Sequence, residues 1–266
     1  MLKAIQVSGR SDFLYVENVE KVSLQRYNKY ISTAILLFWE ALELLIYHGS
    51  ENIIYNPVFG HGTSANDYGR GFYCTEDPEL SKEWACKRNK NGFANCYELD
   101  TKGLRICNLN GDEYNILNWM ALLTKYRGYW QRKSIAEDAK DFLQEKYLID
   151  ITGFDVIRGY RADDSYFSFA QDFIMGTISV QKLSEAMRLG GLSEQIVLKS
   201  EKAFEQLSFR AYESAEAAIY FNKKETRDLD ARRKYQELKP SVNRLDEIYI
   251  LDIMRGNVSD EELRIF

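Results

Sequence analysis

The chain has 266 residues, 45% hydrophobic and 28% charged, enough apolar material for one sizeable core in a soluble protein. Its formal net charge of −5 gives no global reason to expect nucleic-acid binding. Four cysteines (Cys74, Cys86, Cys96 and Cys107) show no CxxC spacing and there are only two histidines, so no metal site is expected and the thiols read as reduced. The first residues lack the apolar core of a signal peptide, and the run Ala34 to Trp39 is cut off by Glu40 and Glu43. No membrane span is expected, and the cytoplasm is the expected location.

In chain order, Ala4–Ser8 and Phe13–Val16 read as short strands. Leu24, Tyr27, Ile31, Ile35, Phe38 and Leu42 then recur at helical spacing between Val22 and Leu42. Leu44–Tyr47 reads as a buried strand that stops at His48-Gly49-Ser50. The stretch Asp67-Tyr68-Gly69-Arg70-Gly71-Phe72-Tyr73 combines two turn-forming glycines with flat aromatic surfaces. Asp77-Pro78 opens a helix that runs to about Asn89 and carries Leu80 and Trp84 on one stripe. Cys96–Asp100 and Leu104–Leu109 read as a hairpin turning at Thr101-Lys102-Gly103. Helices are predicted from Gly111-Asp112-Glu113 through Leu123 and over Ala136–Tyr147.

Further on, the strand Phe154–Tyr160 exits into the polar cluster Arg161-Ala162-Asp163-Asp164. Helices over Phe169–Gly176 and Ser179–Leu189 follow, the second capped by Ser179 and ended by Gly190-Gly191. Leu192–Ser200 is a strand, and Tyr212–Leu238 a charged helix stopped by Pro240. Within that helix Arg227, Arg232, Arg233 and Lys234 alternate with Asp228 and Asp230. This reads as a solvated face, with phosphate or acidic-partner binding as the alternative. A last apolar segment, Ile248–Met254, precedes Ser259 and Glu262, which are spaced as a capping box. Strands in the middle with helices at both ends make the fold class α+β.

The chain has no P-loop and no GxSxG motif, which removes several common enzyme classes. What remains are clusters at element ends: His48-Gly49, Gly71-Phe72-Tyr73, Ser81 with Trp84, and Glu194-Gln195. Taken singly, each is more readily structural than functional. Their order is the informative part. His48-Gly49-Ser50 ends a strand, and Gly69-x-Gly71-x-Tyr73 follows it. Trp84 comes eleven positions after Tyr73 with Ser81 three before it, and Glu194-Gln195-Ile196-Val197 opens a late strand.

This set resembles the H-Y-E branch of the ADP-ribosyltransferase superfamily, which includes poly(ADP-ribose) polymerases and diphtheria-type toxins. The chain also resembles a bacterial family of uncharacterised domains with the same motifs, through Gly159–Phe167 and Glu194–Phe204. The resemblance implies an ADP-ribosyltransferase-like split β-sheet core over 44–207. A strand and helix extension (1–43) would precede it, and a helical extension (208–266) packed on the same domain would follow. It implies NAD as substrate, with cleavage of the nicotinamide–ribose bond and transfer of ADP-ribose to a macromolecule. The alternatives are an NAD glycohydrolase and a catalytically inactive NAD- or ADP-ribose-binding module. A toxin or defence role with a small antitoxin-like partner is also implied.

By the same resemblance, Glu194 stabilises the developing oxocarbenium ion and holds a ribose hydroxyl. His48 bonds the adenosine ribose, and the Gly49 backbone and Ser81 hydroxyl hold the carboxamide. Tyr73 and Trp84 sandwich the nicotinamide ring, with Ser50 and Gly71 beside them. Adjacent strand residues face opposite sides, so only one of Glu194 and Gln195 points into the cleft. With Gln195 inward, the site would lack its carboxylate. Asp163 and Asp164 either contact the acceptor or cap the helix that follows.

Overall fold

A computed structural model describes residues 43–128, 134–192, 194–240 and 247–264. The elements expected before residue 43, with Glu40, and Ser193 fall outside the described residues. Two units divide at Leu42/Glu43, and all the described residues belong to the second.

In chain order its strands are β1 (Leu44–Ser50), β2 (Phe72–Cys74), β3 (Gly92–Leu99), β4 (Ile106–Asn108), β5 (Val156–Gly159), β6 (Gln195–Leu198) and β7 (Leu207–Ala215). The main helices are α1 (Pro78–Ala85), α2 (Ile116–Tyr126), α3 (Ile135–Lys146), α4 (Asp164–Ile174), α5 (Val180–Ala186), α6 (Glu201–Glu205) and α7 (Ala217–Leu238). Two short ones follow, α8 (Ile250–Met254) and α9 (Asp260–Leu263). The fold class is α+β, as the sequence predicts.

The strands form two sheets. One is antiparallel in the order β1-β3-β7, and the other runs β2-β6-β5-β4 with only β4 and β5 parallel. A reciprocal pair of backbone hydrogen bonds joins them, from Tyr47 N to Thr75 O (2.7 Å) and from Thr75 N to Tyr47 O (3.0 Å).

The two-residue period of the second sheet places two cores. Val156, Ile196 and Leu198 pack with Ile46, Tyr97 and Leu99 of the first sheet. Their neighbours Ile157 and Val197 pack with Trp119, Met120, Phe169 and Phe173 from the helices. The four residues of β6 are therefore apolar or sealed on both sides, and all four are buried.

Helix starts follow their caps. Asp77 Oδ1 accepts from Glu79 N (2.9 Å) and Leu80 N (3.2 Å), with Pro78 at the first helical position. Ser179 Oγ accepts from Lys182 N, and Ser259 with Glu262 forms the predicted capping box. The helix expected from Gly111 begins later, at Ile116, because Asn115 and Asn118 cap each other's backbone there. The helix expected from Phe169 begins earlier, at Asp164.

Two expectations are corrected. Thr101-Lys102-Gly103 does turn, with Leu104 N donating to Thr101 O at 3.1 Å, but β3 and β4 are not a hairpin. β4 leaves for the second sheet, where it pairs in parallel with β5. The charged helix does not start at Tyr212: β7 extends through Ala215 and pairs along the whole of β3. Arg210 forks onto Glu98 across this pair, one bond being Nε to Oε2 at 2.7 Å.

Helix α1 lies directly on β1 because residue 49 has no side chain. A Cβ at Gly49 would lie 2.1 Å from Ser81 O and 2.8 Å from Ala85 N. Gly49→Ala is expected to destabilise the fold by about 1–3 kcal/mol through this overpacking. The checking measurement is urea unfolding, read as a lower midpoint at unchanged slope.

Candidate functional site

The end of β1, the turn before β2, helix α1 and the start of β6 converge on one side of the sheets. His48 sits on β1 with Nδ1 2.7 Å from Tyr73 O and its ring stacked on Phe72 at 4.3 Å. A carbonyl only accepts, so Nδ1 carries the proton. Burial lowers the imidazole pKa against the opposing Tyr73 hydrogen bond. The ring is thus neutral, and its Nε2 is left as an acceptor suited to a hydroxyl donor.

The Asp67–Tyr73 turn is held from several directions. A Cβ at Gly71 would lie 2.5 Å from Val197 Cγ1 and 2.9 Å from Leu198 O, so only glycine lets β2 approach β6. Tyr73 Oη donates to Gly69 O (2.6 Å) and accepts from Tyr68 N (3.1 Å). Burial holds the Tyr73 phenol far above its usual pKa, so it acts as a clamp rather than a proton carrier. Lys199 Nζ donates to Tyr68 O and Arg70 O, both at 2.6 Å, and burial lowers its pKa to about 8.

Helix α1 supplies Trp84. Its ring is already covered on one face by the Arg161 guanidinium, 3.6 Å from the ring centre. Stacking of a planar cation on indole is favourable. Burial lowers the Arg161 pKa to about 10, opposed by Asp163. Asp163 stands at the N-cap position of α4 but makes no side-chain cap bond; its carboxylate faces Arg161 at 3.5 Å instead.

Behind these residues lies a buried carboxylate that the motifs do not include. Asp67 Oδ2 accepts from Ala162 N (2.8 Å) and Gln195 Nε2 (2.7 Å), while Oδ1 faces Arg127 Nε at 3.2 Å. Burial raises the Asp67 pKa, and the Ala162 N–H, Arg127 and Gln195 oppose that shift.

These elements enclose one cavity of about 660 Å³, a volume typical of small-molecule and cofactor sites. Of the expected residues it brings together His48, Gly49, Gly71, Tyr73, Trp84 and Gln195. It adds Asp67, Arg127, Arg161, Asp163 and, from α7, Lys224. Three cationic side chains against two carboxylates make this a locally basic place in an acidic chain.

Three expected residues are not among those lining the cavity. Ser50 Oγ donates to Asn52 O and accepts from Asn95 Nδ2. Ser81 is fully buried where α1 presses on Gly49, and its hydroxyl has no hydrogen-bond partner among the described residues. Glu194 has the parity of Ile196 and Arg158, so it meets Arg158 Nε and Asn110 Nδ2 on the other side of the sheet. Gln195 has the parity of Val197 and takes the inward position. The sequence reading that favoured Glu194 is corrected by this alternation.

A family model described as "Protein of unknown function (DUF3990)" matches residues 44–209. The chain belongs to this family. The match runs from the first residue of β1 into β7 and includes every cavity residue named above except Lys224. No curated protein and no solved structure matches the chain.

Asp67, Arg127 and Arg161 were missed as site residues. Asp67 opens the stretch that carries the glycine turn and Arg161 opens the polar cluster after β5, so both lay within recognised signals. Arg127, at the end of α2, had no such neighbour. Among the described residues no group of three or more His, Cys, Asp or Glu is placed to hold a metal ion, and no helix is long and apolar enough to cross a membrane.

The His48 assignment has a direct check. In ¹⁵N–¹H spectra at pH 6.5, where a free imidazole is about half protonated, His48 is expected to appear as the neutral Nδ1–H tautomer. A doubly protonated ring would contradict the acceptor role given to Nε2.

Proposed function

We propose that the cavity binds NAD and that the protein is an NAD-dependent ADP-ribosyltransferase, or an NAD glycohydrolase when water is the acceptor. The observation carrying this reading is the convergence of His48, Gly49, Tyr73, Trp84 and residue 195, from four separated elements, on one cavity. The neutral His48 suits a ribose hydroxyl, and the basic cavity suits a diphosphate. The Arg161 stack indicates what the Trp84 face accepts: a planar cation, which the nicotinamide ring of NAD also is.

In this reaction the bond between ribose C1′ and the ring nitrogen breaks, and its electron pair neutralises the departing nicotinamide. Positive charge appears on C1′ and the ribose ring oxygen. An acceptor heteroatom then bonds C1′ and releases its proton to solvent. The protein's part is to hold the two halves of NAD in place, shield the ring from water and stabilise the developing charge.

One observation favours a second reading. An amide, Gln195, stands where the resemblance expects the acid, which suits a module that binds NAD or ADP-ribose without turning it over.

Calorimetric titration of the full chain with NAD is expected to show saturable binding. His48→Ala and Trp84→Ala should each weaken it about tenfold, ~1.4 kcal/mol. Chromatography of the incubated NAD then separates the readings. Nicotinamide release supports the enzyme, binding without release supports the module, and no binding at millimolar NAD overturns both.

A further inference from the structure

We infer that Asp67 and Gln195 act as one unit, in which the Gln195 carbonyl meets the ribose and the Asp67 carboxylate behind it supplies the negative charge that the displaced Glu194 does not. The inference rests on the reading of the cavity as an NAD site.

The orientation of the Gln195 amide is fixed by its partners. Its Nε2 faces the Asp67 carboxylate at 2.7 Å and Tyr160 O at 3.4 Å. Both are acceptors, so the nitrogen must lie on that side and Oε1 on the other. No hydrogen bond from a described residue reaches Oε1, and Gln195 borders the cavity. The amide therefore presents a lone-pair oxygen to whatever the cavity holds.

The state of Asp67 follows from the same kind of count. Oδ2 accepts two N–H groups and Oδ1 faces a guanidinium. These partners only donate, which suits the ionised carboxylate. An N–H given to an anion polarises the rest of its amide, and the opposite oxygen gains negative character. With water excluded, that polarisation and the charge behind it act at close range. The second carboxylate bordering the cavity, Asp163, is turned to Arg161, and Glu194 is held on the far side of the sheet by Arg158 and Asn110. Asp67 is the acid that touches residue 195.

In the proposed reaction neither residue forms a bond. The C1′–N electron pair leaves with nicotinamide, Gln195 Oε1 accepts from a ribose hydroxyl beside the cationic carbon, and Asp67 stays ionised throughout. Gln195 is the group in contact with substrate; Asp67 is a positioning residue that acts through it.

The test uses the full chain and follows nicotinamide release, with NAD affinity by calorimetry and thermal unfolding as a control on the fold. Asp67→Asn keeps a neutral hydrogen bond to Gln195 and removes the charge. It is expected to lower kcat about 100-fold while the NAD Kd stays within about threefold. Gln195→Met leaves Asp67 its bonds to Ala162 and Arg127 and should give a comparable loss, which keeps the test open if Asp67→Asn fails to fold. Because the pair acts as a unit, the double variant should be no slower than the slower single variant. Either single variant with kcat within about threefold of the wild type overturns the inference, as do losses that multiply in the double variant. An active wild type with active variants removes this inference alone. A wild type that releases no nicotinamide removes it together with the catalytic reading.

Discussion

The two-residue period of β6 is the constraint on which the rest depends. Its four residues are wedged between two cores, with Ile196 and Leu198 against the first sheet and Val197 under the helices. Slipping this strand by one residue would turn Val197 into the inter-sheet core and Ile196 and Leu198 toward the helices. It would also exchange the places of Glu194 and Gln195. Apolar packing thus fixes the chemistry of the site. The residue that enters the cavity shares the parity of Val197, and that residue is an amide.

The polar side of the cavity is built on the same frame. Buried carboxylates persist where donors converge on them, and Asp67 is met from three elements: the end of α2, the loop after β5 and the start of β6. Arg127 also donates to Ala162 O at 2.5 Å, so Arg127 and Asp67 together hold the C=O and the N–H of Ala162 in the loop after β5. The network extends outward through Arg161 to Asp163 and, beside it, from Glu83 of α1 to Arg227 of α7. Farther along α7, Arg233 pairs with Asp230 and Glu237, and Lys234 with Asp230, on the helix itself. These are the exposed pairs of a solvated face and add little stability each.

What was legible in the sequence was local. Asp77-Pro78, Ser179 and Ser259 with Glu262 cap helices because a short side chain reaches the next free N–H, and that reach is written in adjacent letters. The glycines at 69 and 71 were legible as a turn, although not the strand that Gly71 approaches. That His48, Tyr73 and Trp84 belong to one cavity was legible only through the resemblance their order carries, since each by itself reads as structural. What was not legible depended on partners remote in the chain. The turn at Thr101-Lys102-Gly103 looks the same whether the next strand returns or crosses to another sheet. β7 has a mostly exposed pattern, so its pairing with β3 carries no strong apolar alternation. Asp67 meets Gln195 across more than a hundred residues, and no spacing rule joins them. For Glu194 and Gln195 the alternation rule was available; which register it applied to was settled by packing.

The stack of Arg161 on Trp84 has a consequence for how any flat ligand is received. On the covered side the free protein offers an indole face that already carries a tethered competitor. A side chain held a few ångströms from its seat has an effective concentration on the millimolar scale. An incoming ring that takes this face therefore meets a seat already in use, and its apparent affinity is its intrinsic affinity reduced to the fraction of molecules with Arg161 turned away. Selectivity then comes from the comparison. A weakly stacking molecule leaves the guanidinium in place, and a planar cation with anchoring groups elsewhere in the cavity displaces it. The arginine that covers this face at rest thus sets the threshold a ligand has to exceed.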